Sequence, residues 1–90
     1  MMEDVVRGAV EATVADNPQV VEGWLIGTPK TWGYLAGRAV GAARRRLGRD
    51  LTDGERRAVW AALWYRLQQI KQESVGSTAE HEGQRDRPGF

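Results

Sequence analysis

The chain has 90 residues, with 13 Lys and Arg, 12 Asp and Glu, one His and no Cys. A chain of this length forms one domain at most, and without Cys it has neither a disulfide framework nor a thiolate metal site. Its apolar runs are too short for a signal peptide or a membrane span, so we expect a cytoplasmic protein that does not engage a membrane.

Two short helices are predicted in the first third of the chain. Over residues 3–15 apolar side chains recur every three to four positions, and the pattern stops before Asn17 and Pro18. We expect Asn17 to cap a second helix over residues 18–26, with Pro18 in its first position and Gly27 at its end.

Two longer helices follow. Thr28 is expected to cap a third helix over residues 29–47, which Gly48 ends. Thr52 and Glu55 form a capping-box pattern at the start of a fourth helix over residues 53–72. One face of the fourth helix is apolar and is expected to be core: Val59, Trp60, Leu63, Trp64, Leu67 and Ile70.

The last part of the chain differs in composition. Residues 74–90 offer almost nothing to bury, so we expect a flexible polar tail behind a helical domain formed by residues 1–73. No strand pattern occurs. The sequence therefore predicts an all-α fold, a small bundle of about four helices.

The third helix has three glycines at intervals of four, Gly33, Gly37 and Gly41, which we call the glycine strip. Each costs about 1 kcal/mol relative to alanine. On a helical wheel they lie beside the core face, with basic residues on their other side. Either the strip lets another helix of this chain approach closely, or it is an open surface on which a ligand's backbone lies while nearby cations bind its phosphates.

Positive charge is concentrated around this strip. Residues 28–49 carry six basic residues and no acidic residue, whereas residues 1–27 carry five acidic residues and one basic residue. Part of the run Arg44 to Arg46 has a second explanation, because cations at a helix C-terminus suit the helix dipole. Tyr34 lies on the basic side of the third helix. Its ring is placed to stack on an exposed nucleobase, although an exposed tyrosine commonly has no specific role.

The stretch NPQVVEGWLIGTPKTWGYLAGRAV resembles the tail domain of the GatB subunit of tRNA-dependent amidotransferases and of YqeY-type proteins. The family pattern is met without a gap, with Val40 where the family has methionine; the matching residues are Asn17, Pro18, Val21, Gly27, Lys30, Gly33, Leu35 and Gly37. The resemblance implies an all-helical domain that binds the outer corner of a tRNA while a separate synthetase or amidotransferase performs the chemistry. It also implies that Lys30, Gly33 and Gly37 face the RNA.

Three functions remain open at this point. The first is an RNA-binding module of the tRNA type, whose predicted contacts are Lys30, Gly33, Tyr34, Gly37, Arg38, Arg44 and Arg45. The second is a protein-interaction adaptor that uses the glycine strip and an aromatic anchor such as Trp24. The third is a small DNA-binding protein, which is disfavoured because the third helix lacks Asn and Gln to read base edges.

An enzyme is not expected. The chain has no Cys, its single His81 lies in the polar tail, and no acidic pair shares a face with a nucleophile. The same composition offers too few ligands for a metal site, so we predict no catalytic residues, no metal and no cofactor.

Overall fold

The computed structural model describes the backbone of residues 2–82 and the side chains of residues 2–73. It contains four helices: α1 (Met2–Asp16), α2 (Pro18–Leu25), α3 (Thr31–Leu47) and α4 (Asp53–Glu82). No strand occurs within residues 2–82, which confirms the predicted all-α fold. Among the helices described, none combines the length and apolar character needed to cross a bilayer.

The core lies where α1, α3 and α4 meet. The side of α3 that faces α1 and α4 is rich in alanine, and Ala39 and Ala43 are fully buried, as is Ala9 on α1. Such small side chains let helix axes approach closely. The buried cluster consists of Val6, Ala9, Val10, Val21, Leu35, Ala36, Ala39, Ala42, Ala43, Leu51, Val59, Leu63 and Leu67.

Several helix ends form as the sequence predicts. Gly27 and Gly48 follow α2 and α3 with φ of 86° and 74°, the left-handed region that glycine adopts without strain. The capping box at α4 is also present. Glu55 N–H donates to Thr52 Oγ1 at 3.1 Å, and Thr52 N–H donates to Glu55 Oε1 at 2.9 Å.

Two predicted caps differ from expectation. Asn17 is the N-cap residue of α2, as predicted, but its side chain does not cap the helix; its Nδ2 donates instead to Thr13 O at the end of α1, at 2.9 Å. Thr28 does not cap α3, whose N-cap residue is Lys30; the Thr28 N–H donates to Gly23 O at 2.8 Å, a bond that helps to end α2. A turn at Pro29 and Lys30 comes next, so α3 begins at Thr31 and not at residue 29.

The prediction that Trp60 and Trp64 belong to the core is also wrong. Their side chains are 39% and 45% exposed, whereas Val59, Leu63 and Leu67 are fully buried. The buried stripe of α4 is therefore centred one residue away from the two tryptophans. This offset of about 100° around the helix places both indoles at the edge of the buried face.

Helix α4 is longer than predicted. Its backbone is helical to Glu82, ten residues beyond the expected end near residue 72. No proline occurs between the start of α4 at Asp53 and Pro88, so no proline ring blocks the helix sterically in this part of the sequence. The predicted polar tail, residues 74–90, is described only in its backbone as far as Glu82, and residues 83–90 lie outside the described residues.

Candidate functional site

The glycine strip of α3 is open at two of its three positions. Gly33 and Gly37 are exposed, and a methyl group at either would have no heavy atom of the described residues within 4 Å beyond the neighbouring backbone of α3 itself. At Gly41 a methyl group would lie 3.7 Å from Nη1 of Arg45, an ordinary contact. The close approach of α3 to its neighbours uses the alanine face, so packing within the chain does not explain the strip.

The strip forms the floor of a groove between α3 and the start of α4, with a volume of about 560 Å³. The walls are apolar and aromatic, and an arginine is contributed by each helix. The lining residues are Trp32, Gly33, Ala36, Gly37, Val40, Gly41, Arg44, Arg56 and Trp60. We call this the α3–α4 groove.

The lining of the α3–α4 groove contains no carboxylate, imidazole or hydroxyl group. Such a surface lacks groups for acid–base or nucleophilic chemistry but suits binding, because indole rings stack on flat ligands and guanidinium groups bind anions. Within the described residues, no three acidic or His side chains lie close enough to share a metal ion.

Both arginines of the groove have weak ion-pair partners. Arg44 Nε lies 3.6 Å from Asp50 Oδ1, and the carboxylate of Asp50 is 93% exposed. Arg56 pairs with the exposed Asp53 within the first turn of α4. Exposed pairs of this kind contribute little to stability, about 0–1 kcal/mol, so a bound anion is able to replace either carboxylate at small cost.

Three further arginines lie on the other side of α3. Arg38, Arg45 and Arg46 line a small cleft of about 270 Å³ against the end of α1, beside Asp16. Within the described residues, none of the three forms an ion pair shorter than 4.0 Å. Arg46 also passes close to α1, where a methyl group at Gly8 would lie 3.1 Å from its Nε. Cations therefore flank the strip on both sides.

Lys30 holds an unfavourable backbone conformation. Its φ of 72° and ψ of −1° are those of the third residue of a type II turn, with Pro29 in the second position. Glycine or asparagine is preferred there, and any other residue pays roughly 1 kcal/mol for the left-handed conformation. A lysine at such a position, directly before the glycine strip, is consistent with selection for its charge.

Tyr34 is half exposed and lies next to Arg38, whose Cζ is 6.0 Å from the ring centroid. Neither residue lines the α3–α4 groove. The seven predicted contacts thus divide into three sets: Gly33, Gly37 and Arg44 in the groove, Tyr34, Arg38 and Arg45 on the opposite flank, and Lys30 in the preceding turn.

Arg56 and Trp60 were missed as candidate residues. They lie one turn apart on α4, and the capping box at Thr52 and Glu55 fixes where that helix begins. This spacing was visible in the sequence and places both residues on one face. What the sequence does not contain is the pairing of that face with the glycine strip, which depends on how α4 packs against α3.

Three of the four tryptophans form an aromatic cluster beside the groove. Trp64 packs edge to face against Trp24 and Trp32, with ring centroids 5.8 and 5.5 Å apart and interplanar angles of 85° and 87°. Such T-shaped pairs are favourable and join α2, α3 and α4. Trp24 is therefore held within this cluster and is half buried, and its role as a partner-binding anchor stays a prediction.

Comparison of the chain with protein-family models, curated proteins and solved structures gives no match. The likeness of residues 17–40 to GatB/YqeY tail domains stays a prediction from the residues quoted above.

Proposed function

We propose that this chain is a non-catalytic module that binds structured RNA of the tRNA type. The observation that carries the proposal is the bare backbone at Gly33 and Gly37, open to solvent and bordered by cations on both sides. A sugar–phosphate backbone needs a surface that it can approach closely, and it needs positive charge beside that surface. The resemblance to a tRNA-binding tail domain points in the same direction.

The proposed contacts follow from this arrangement. The RNA backbone lies along the glycine strip, with Arg44 and Arg56 on the groove side and Arg38 and Arg45 on the opposite flank. Lys30 extends the positive surface beyond the start of α3. In this role the chain positions RNA for a separate enzyme, such as a synthetase or an amidotransferase, and supplies no catalytic group itself.

A protein-interaction adaptor is the second candidate, and one observation favours it. The α3–α4 groove has the apolar walls Trp32, Ala36, Val40 and Trp60, and a partner helix with an apolar face would fill it. Binding of that kind depends on buried apolar area and has little dependence on salt. Binding of RNA through phosphates depends steeply on salt.

A salt titration tests the RNA proposal. If about four phosphates are contacted, the logarithm of the affinity for bulk tRNA falls with the logarithm of the salt concentration at a slope of about −3. Arg38→Glu is expected to weaken binding about tenfold and to reduce the slope by about 1. Arg38 suits this test because it makes no ion pair with a described residue, whereas replacement of Arg46 would also change its contact with α1 at Gly8.

Arg7→Glu is the matched control. Arg7 is an exposed arginine on α1 that lines the groove between α1 and α4, away from the glycine strip, so its reversal should leave tRNA binding nearly unchanged. Equal losses for both variants would indicate nonspecific attraction to net charge. If RNA binding shows no dependence on salt, the RNA proposal is contradicted. The protein-interaction adaptor would then be the remaining candidate function. Equal binding of a DNA duplex would contradict the RNA preference.

A further inference from the structure

Trp60 is a large aromatic residue that the core does not use. Its side chain is 39% exposed and lines the α3–α4 groove next to the bare backbone of the glycine strip. The aromatic pairs among the described side chains join Trp64 to Trp24 and Trp32, and Trp60 is not a member of that cluster. Its indole is therefore open to a ligand in the groove.

The surroundings of Trp60 select the chemistry of that ligand. Arg56 lies one turn earlier on α4 and Arg44 reaches the groove from α3, whereas no acidic residue lines the groove. A flat aromatic ring beside guanidinium groups suits a nucleotide, whose base stacks on the indole while its phosphate contacts an arginine. Phosphate contacts alone would need no indole at this position.

We propose that Trp60 stacks on an unpaired base of the bound RNA, so that the site prefers RNA with a loop or bulge to a continuous duplex. This inference rests on the proposed RNA-binding function. In an A-form duplex the bases are stacked on one another and their faces are covered, so Trp60 cannot engage them. Apart from the terminal pairs of a duplex, only a base that has left the stack offers a free face to the indole.

Two RNAs with equal numbers of phosphates test the inference: a hairpin with an unpaired loop, and a perfect duplex that contains the hairpin's stem sequence and is extended by further base pairs until the phosphate numbers match. The wild-type chain is expected to bind the hairpin at least fivefold, and up to about a hundredfold, more tightly at the same salt concentration. Trp60→Leu keeps apolar cover on the groove wall and removes the ring. It should abolish this preference by weakening hairpin binding far more than duplex binding, and it should leave the salt slope unchanged.

Tyr65→Leu provides the matched control. Tyr65 is also an exposed aromatic residue of α4, 71% exposed, but it lines the groove on the α1 side of that helix. Its replacement should leave both RNA affinities as they are in the wild type. Trp60→Phe, which retains a smaller ring, should retain part of the hairpin preference. Circular dichroism and thermal melting of each variant show whether it is folded.

The outcomes separate this inference from the function on which it rests. Steep salt dependence with equal affinity for hairpin and duplex overturns the role of Trp60 and leaves RNA binding intact. A hairpin preference that survives in Trp60→Leu, or a Trp60→Leu variant that is folded but loses both RNAs equally, also overturns it. If neither RNA binds with a steep salt slope, the proposed function fails and this inference fails with it.

Discussion

Gly37 lies in the middle of α3 and bears the ordinary cost of a helical glycine without any packing benefit inside the chain. The space beside it is open, so a methyl group there would contact nothing but its own helix. Gly8 differs, because a methyl group there would press on the side chain of Arg46 at 3.1 Å. A methyl group at Gly8 would therefore require the Arg46 side chain to shift by a few tenths of an ångström, whereas one at Gly37 would require no shift of a described residue.

Replacement of Gly37 by alanine is expected to stabilise the free protein. The helix gains about 0.5–1 kcal/mol in the free energy of unfolding because alanine is the better helix former. In a domain of this size that raises Tm by about 2–8 °C. Thermal melts followed by circular dichroism measure the change, and the bulkier Gly37→Leu should reduce tRNA binding at the same time.

Gly27→Ala is the control with the opposite sign. Gly27 has a φ of 86°, so a side chain there is strained even though space is available, and the expected loss is about 1 kcal/mol. A lowered Tm for Gly37→Ala would mean that another backbone approaches the strip. In that case the glycines would serve contact between helices, and the open-surface interpretation would be wrong.

At the scale of the element, the start of α4 is fixed by a small network of hydrogen bonds. Both carboxylate oxygens of Glu55 accept hydrogen bonds from Arg49, each at 2.8 Å, and one also accepts from Thr52 N–H. The Arg49 contacts first, and then the Thr52 bond, lower the pKa of Glu55 to about 2. The same network joins the loop after α3 to the first turn of α4.

This network predicts an acid-sensitive contribution to stability. In the unfolded chain Glu55 regains an ordinary pKa near 4.5, so between about pH 5 and pH 2 the unfolded state binds more protons than the folded state. The contribution is therefore complete above pH 5 and is lost as the pH falls toward 2. Glu55→Gln should lower Tm at pH 7, and the difference from the wild type should close by pH 2.

Glu22→Gln is the control for this series. Glu22 is exposed on α2 and forms no ion pair with the side chains described. The Tm of the Glu22→Gln variant should therefore follow that of the wild type from pH 7 to pH 2. Parallel curves for Glu55→Gln and the wild type from pH 7 to pH 2 would contradict the assigned role of Glu55.

Which elements the sequence could predict depends on how local the signals are. The capping box at Thr52 and Glu55 and the left-handed glycines Gly27 and Gly48 each act within about one helical turn, and all formed as expected. The predicted start of α3 is wrong because the local sequence allows Thr28 either to cap α3 or to help end α2. In the structure the Thr28 N–H bonds back to α2, and the sequence alone does not show which of the two occurs.

At the scale of the whole molecule, the buried cluster formed by the side chains of residues 2–73 becomes sparse toward the end of that range. Among these described side chains Leu67 is the last that is fully buried, and Ile70 packs partly against the cluster. Deletion of residues 76–90 is therefore expected to change the free energy of unfolding by less than about 0.5 kcal/mol. The measurement is a denaturant melt of the shortened chain beside the full-length one.

Leu67→Ala provides the comparison for this deletion. Truncation of this fully buried leucine is expected to lower the free energy of unfolding by about 2–5 kcal/mol. Detection of that loss shows that the assay would also have detected a large effect of the deletion. A truncated chain that is as unstable as Leu67→Ala would place essential packing beyond residue 75.

Less of the candidate site than of the fold could be predicted. The strip, its cations and the alanine face of α3 follow from one helical wheel, and the structure agrees with the open position of Gly33 and Gly37. Trp60 was assigned to the core because it fits the three-and-four spacing of α4 almost as well as Leu63 does. A shift of the buried stripe by one residue decides whether Trp60 lies in the core or in the groove wall. The position of the stripe is set by packing between helices.

The open strip has a consequence for efforts to improve this protein. Alanine at Gly33 or Gly37 is expected to make the free chain more resistant to heat, and the same methyl group would stand where the proposed ligand lies. A laboratory selection for thermal stability alone would therefore enrich these substitutions and erase the interface. Glycine retained at both positions under such selection would indicate that the strip is used in the free protein as well.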